Sequence, residues 1–148
     1  MLTRTNHLSF TVRDLDRSID FFTNVLGLEH VDTSWRSTEF SQKVTKIKDA
    51  HLRIAYLKTS NCYLELIQYH GGEGEQQINS PNNPGAAHVC FEIENFNKVL
   101  EGLKKRNIIP IGDPIVVEDG PNKGRNMCYF KDIDGNIIEI FSILKNEK

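Results

Sequence analysis

The sequence predicts an α+β protein built from two tandem βαβββ modules. Three observations predict it. Residues 7–22 and 88–103 align without a gap at a constant offset of 81 (88 − 7), each copy reading as an alternating strand followed by an amphipathic helix. Each module then closes on an apolar strand with a single carboxylate inside it, Tyr63-Leu64-Glu65-Leu66-Ile67 and Ile137-Ile138-Glu139-Ile140-Phe141. Between them, Gly71 to Gly85 is polar, rich in Gly, Asn and Pro, and has no core-forming pattern. Module one is expected at about 5–70, a linker at about 71–85 and module two at about 86–144, within one domain over 1–148.

In the first strand Leu8, Phe10 and Val12 share one face, and His7, Ser9 and Thr11 the other. Asp14 is placed to cap the helix, because its carboxylate can accept an orphan backbone N–H. Leu15, Ile19, Phe22 and Leu26 fall on one stripe, and Gly27 supplies the left-handed residue that ends the helix. Strands are expected at 28–34, 51–58 and 62–69, with a turn at Thr59-Ser60-Asn61. Phe40, Val44 and Ile47 predict a short extra helix between Trp35 and Lys48. In the second copy Val89, Phe91 and Ile93 alternate, Asn95 caps, and Phe96, Val99, Leu100 and Leu103 form the stripe. Asn107 stands where Gly27 stood. Strands follow at 108–111, 115–118, 125–131 and 137–143, the last two joined by the turn Asp132-Ile133-Asp134-Gly135-Asn136.

Composition narrows the function. The chain has 148 residues, 18 Lys+Arg against 20 Asp+Glu, and a net charge of −2. That balance lacks the basic footprint of a nucleic-acid binder. No apolar run approaches the ~18 residues that span a bilayer, so no membrane partner is expected. The opening residues hold no signal-peptide apolar region, and Cys62, Cys90 and Cys128 are odd in number with no Cys-x-x-Cys pair. Reduced thiols in a cytoplasmic protein are expected.

The repeat also carries the chemistry. A carboxylate among four apolar neighbours is costly to bury unless it is paired, protonated or metal-bound. Each module places a His on its first strand and a Glu on its last: His7, Glu65, His88 and Glu139. If the modules face each other, these positions converge on the axis relating them as a mixed N/O set. Such a set suits a divalent ion, Zn, Ni, Co, Mn or Fe, with two positions left for water or a chelating substrate. His30, His51 and His70 have no partner in the repeat and read as surface or structural residues.

Tandem modules with His…Glu…His…Glu resemble the vicinal oxygen chelate superfamily, which includes glyoxalase I, methylmalonyl-CoA epimerase, extradiol dioxygenases, fosfomycin-modifying enzymes and bleomycin-binding proteins. The matching stretches run from His7 to Phe22 with Val25-Leu26-Gly27-Leu28, Leu64-Glu65-Leu66, His88 to Ile93, and Tyr129 to Ile140. The resemblance implies a half-open, eight-stranded barrel-like sheet, a homodimer, and bidentate chelation of neighbouring oxygens on a small-molecule substrate. It implies a glyoxalase-like lyase or isomerase in which Glu139, or Glu65, removes a proton next to a metal-chelated carbonyl.

Departures from the subtypes refine this. Thr11 and Tyr69 stand where glyoxalase I places an Arg and an Asn, so glutathione is not the expected substrate, and these two positions face whatever is bound. Lys123 and Arg125, in the loop before the last hairpin, are candidates for anion contact. The resemblance leaves two alternatives: a ring-cleaving dioxygenase, or a binding or resistance protein without turnover, whose pocket Trp35 and Tyr69 would line.

Overall fold

The computed structural model describes residues 1–143; the expected end of module two at 144 lies outside them. The first half contains β1 (His7–Thr11), α1 (Leu15–Asn24), β2 (Glu29–Arg36), α2 (Thr38–Thr45), β3 (His51–Lys58) and β4 (Tyr63–His70). The second contains β5 (His88–Ile93), α3 (Phe96–Lys105), β6 (Ile115–Val116), β7 (Asn126–Lys131) and β8 (Ile137–Ser142). The chain divides into compact units between Gln76 and Gln77, inside the expected linker. The strands form two four-stranded mixed sheets, β1-β4-β3-β2 and β5-β8-β7-β6. Both halves thus have the same order, with the first strand parallel to the last. This is the α+β, twice-repeated βαβββ fold that the sequence predicts.

In the first half, α1 lies against β3 and β4. Asp14 accepts the Arg17 N–H at 3.0 Å, and Gly27, at φ 79°, ends the helix by donating to the Thr23 carbonyl. The buried stripe differs from the one expected. Leu15, Ser18, Phe22 and Val25 are buried with Phe21, whereas Ile19 and Leu26 lie at the half-buried margin. Two adjacent rings, Phe21 and Phe22, with centroids 5.1 Å apart, must both go inside, and this rotates the helix. Leu8, at the start of β1, stays 40% exposed.

Arg53 of β3 grips Asp16 in the first turn of α1 with two hydrogen bonds, 2.8 and 2.9 Å. The Arg53 hydrogen bond holds the Asp16 carboxyl below its ordinary value of 3.8. The pair therefore stabilises the fold above that pH, and the contribution is lost as pH falls through the lowered folded-state value. Because Asp16 is largely exposed, Arg53→Ala is expected to cost about 0.2–1 kcal/mol at pH 7. Paired urea titrations should show the difference shrinking as the pH falls below 3.8.

The helix α2 forms where expected, capped by Ser37 through the Phe40 N–H. Its apolar residues do not dock, however. Phe40, Val44 and Ile47 are 50%, 58% and 36% exposed, and the buried residue is Ser41, whose hydroxyl donates to the Ser37 carbonyl at 2.8 Å. Periodicity specified the helix but not the face it turns to the sheet.

In the second half Phe96, Val99 and Leu103 are buried, Leu100 is half-buried, and Asn107 takes φ 56° at the position equivalent to Gly27. The expected strand at 108–111 is absent. Ile109 is 82% exposed, and the segment makes one isolated bridge, Pro110 to Phe130. Proline lacks the N–H a ladder needs, so pairing stops there. The strand expected at 115–118 shortens to Ile115–Val116. The turn after β7 is organised by Asp132, whose Oδ1 accepts the Asp134 and Asn136 N–H groups while Oδ2 accepts the Asn136 amide.

Candidate functional site

Register places the functional side chains. In the first half Glu65 pairs with Ser9 on one side and Tyr56 on the other. Directly paired residues share a sheet face, so His7, Ser9, Thr11, Tyr56 and Glu65 stand together. The opposite face carries Ala55, Leu57, Leu64 and Leu66, all buried. Glu65 is itself buried. The Tyr56 hydroxyl donates to its Oε1 at 2.5 Å, and Oε2 lies 3.6 Å from His7 Nε2. His7 Nδ1 is 2.8 Å from Asn6 Oδ1, which orients the ring with Nε2 toward the carboxylate. The Glu65 hydrogen bond, helped by burial, pushes the Tyr56 phenol up, and the nearby Arg36 guanidinium partly opposes the rise.

The second half repeats the arrangement. Glu139 pairs with Cys90 and Tyr129, and its Oε2 lies 3.1 Å from His88 Nε2. Burial first, then Glu139, pushes the Tyr129 phenol up to about 12. Each tyrosine ring packs edge-on to the histidine of its half, at 6.2 Å for Tyr56–His7 and 5.3 Å for Tyr129–His88. Cys90 is exposed at its surface, and desolvation of its thiol, followed by Glu139, pushes that thiol up to about 12. Cys62, Cys90 and Cys128 are all free thiols.

The sequence grouped His7, Glu65, His88 and Glu139 as one set; the structure brings His7 to Glu65 and His88 to Glu139 within each half, and it adds Tyr56 and Tyr129, which sequence reasoning missed. A second internal alignment would have found them. Ile54-Ala55-Tyr56-Leu57-Lys58 matches Met127-Cys128-Tyr129-Phe130-Lys131 at an offset of 73 (129 − 56).

The candidate substrate contacts separate. Thr11 is exposed on the His7 face of β1, and Tyr69 is half-buried on the Glu65 face of β4. Arg125 is buried and ion-paired with Glu92, whereas Lys123 is exposed in the preceding turn. Trp35 does not line the Glu65 face. It pairs with Arg53 on the opposite side, where its ring stacks at 4.4 Å on His51 and 4.8 Å on His70. His30 bonds Thr33 at 2.8 Å.

Among the described residues, no three His, Cys, Asp or Glu side chains gather into a metal-holding group; each half supplies a pair. The chemistry of each pair fits a divalent ion. In the tautomer whose Nδ1–H donates to Asn6 Oδ1, His7 Nε2 is left with a lone pair beside a carboxylate oxygen, an N/O donor pair that a divalent cation can bridge. Tyr56 occupies Oε1, so Glu65 offers a single oxygen on the histidine side.

The sequence profile of the Glyoxalase/Bleomycin resistance protein/Dioxygenase superfamily matches residues 4–140. The chain belongs to this superfamily. This glyoxalase-superfamily chain is 27% identical to a 2-epi-5-epi-valiolone epimerase from Actinomyces sp over 143 residues, covering 93% of this chain and 78% of the relative. It is 23% identical to the human mitochondrial methylmalonyl-CoA epimerase (94% and 73%) and 24% identical to the lactoylglutathione lyase of Pseudomonas putida (91% and 82%). A glyoxalase family protein from Bacillus cereus shares its fold with a TM-score of 0.81 at 23% identity, covering 96% and 95%. So does a fosfomycin resistance protein, FosX, from Listeria monocytogenes, solved with Mn(II) and sulfate, at 0.64 and 16% identity, covering 99% and 98%.

Proposed function

We propose that this protein is a divalent-metal-dependent lyase or isomerase that moves a proton next to a carbonyl on a small chelating substrate. The observation that carries the reading is the duplicated His–Glu–Tyr group: twice, a buried carboxylate turns one oxygen to an imidazole Nε2 and is held from the side by a phenol. His7, Glu65, His88 and Glu139 would hold the ion between them. Such an ion supplies Lewis-acid polarisation of two neighbouring substrate oxygens. Epimerases and a lyase among the relatives support redox-neutral proton transfer, and the Mn(II)-bound FosX supports a divalent ion.

The chain's own residues then divide the work. Glu139 accepts the substrate proton at its carboxylate, and Glu65 is the second candidate base. Tyr129 and Tyr56 keep these carboxylates from rotating. Ser9, Thr11 and Tyr69 line the face on which the substrate would lie.

Elemental analysis of protein purified without chelator or affinity-tag metal tests the reading. Near-stoichiometric Ni, Co, Zn or Mn is expected, with loss of most of it in His7→Ala. Bound Fe would favour the ring-cleaving alternative. No metal, and no thermal stabilisation by any added divalent ion, would overturn the four-ligand site.

A further inference from the structure

We propose that Arg36 anchors an oxyanion of the substrate, a carboxylate or a phosphoryl group, beside the His7–Glu65–Tyr56 group. The inference deepens the proposed function and rests on it for what else the substrate contacts. Arg36 ends β2 and pairs with Leu52, which puts it on the sheet face of Ser34, Tyr56 and Glu65. Its Nη1 donates to the Ser34 hydroxyl at 2.8 Å, and that hydroxyl donates in turn to Asp32 at 3.0 Å. The side chain is therefore steered along the strand toward Tyr56, close enough for its charge to act on the phenol.

What singles Arg36 out is its charge balance. Arg53 grips Asp16, and Arg125 grips Glu92. Among the described residues Arg36 is half-buried and has no carboxylate in ion-pair contact. The neighbouring carboxylates Asp32 and Glu65 are reached only through the Ser34 and Tyr56 hydroxyls, so an anion entering from outside would supply the direct charged contact that neither of them makes.

The guanidinium has five N–H donors in a planar fork, and its contacts are the Ser34 hydroxyl, the Trp35 carbonyl at 3.5 Å and the Tyr56 hydroxyl. That leaves donors for two oxygens of one carboxylate or phosphoryl group, the bidentate contact at which arginine excels.

The test is anion titration of the intact, metal-loaded protein, with inorganic phosphate in one arm and malonate in the other, followed by calorimetry. One anion should bind the wild type, and Arg36→Ala should weaken it by roughly 10- to 100-fold, the loss expected for a charge-assisted hydrogen-bonded contact. Arg36→Lys, which keeps the charge but not the fork, should recover only part of it. The arm that responds tells phosphoryl from carboxylate recognition. Metal content should be unchanged in Arg36→Ala and reduced in Glu65→Gln, which separates failure of the anion site from failure of the metal site. Equal binding by wild type and Arg36→Ala, or no binding of either anion by the wild type, would overturn the proposal.

Discussion

Glu139→Gln is expected to leave the protein folded and to slow exchange of the substrate's carbon-bound proton with solvent by roughly 10²–10⁴-fold, the contribution of a positioned base. Glutamine has nearly the shape of glutamate and keeps an oxygen for the Tyr129 hydroxyl, so the cross-strand contact survives. It cannot take up a proton at pH 7. Glu139 is also buried, so removing its charge lifts a desolvation cost rather than adding one. The readout is deuterium incorporation in D₂O across a panel of α-hydroxy-carbonyl compounds and epimerisable acids, alongside a thermal melt. Glu65→Gln in the same assay, with exchange normalised to bound metal in both variants, shows whether one carboxylate or both exchange protons. Wild-type exchange in Glu139→Gln would remove its role as base.

The largest stability effect is expected at Phe22. Its side chain is fully buried, with its ring centroid 5.1 Å from Phe21 and 6.3 Å from Phe10, where α1 meets the first sheet. Phe22→Ala removes that apolar surface and leaves a cavity that the surrounding side chains cannot fill, at a cost of about 3–5 kcal/mol. Domains of this size are stable by only about 5–15 kcal/mol in all. The variant should therefore unfold at much lower urea concentration with an unchanged slope, read by far-UV circular dichroism. A loss below about 1 kcal/mol would mean that α1 is not anchored through this ring.

Most of the architecture was legible because its signals are local. A short apolar run bounded by turn residues marked β3 at its observed bounds, His51–Lys58, and Asp14 and Asn95 cap α1 and α3 as their side chains predict. The failures share a cause. Whether residues 108–111 pair, and whether Phe40, Val44 and Ile47 are covered, depends on what lies opposite them, and no local pattern records it.

The same distinction runs through the site. The sequence alone determined that the chain is a duplication and that a histidine and a glutamate recur in each copy, because those features are matters of order and spacing. Only the tertiary structure decided which side chains surround each carboxylate. Tyr56 meets Glu65, and Tyr129 meets Glu139, through hairpin registers set by the turns between the strands. A shift of one residue would send either tyrosine to the opposite face. The same register turns Trp35 away from Glu65 and brings Arg36 toward it, although the two are neighbours in sequence, because successive side chains on a strand point to opposite sides.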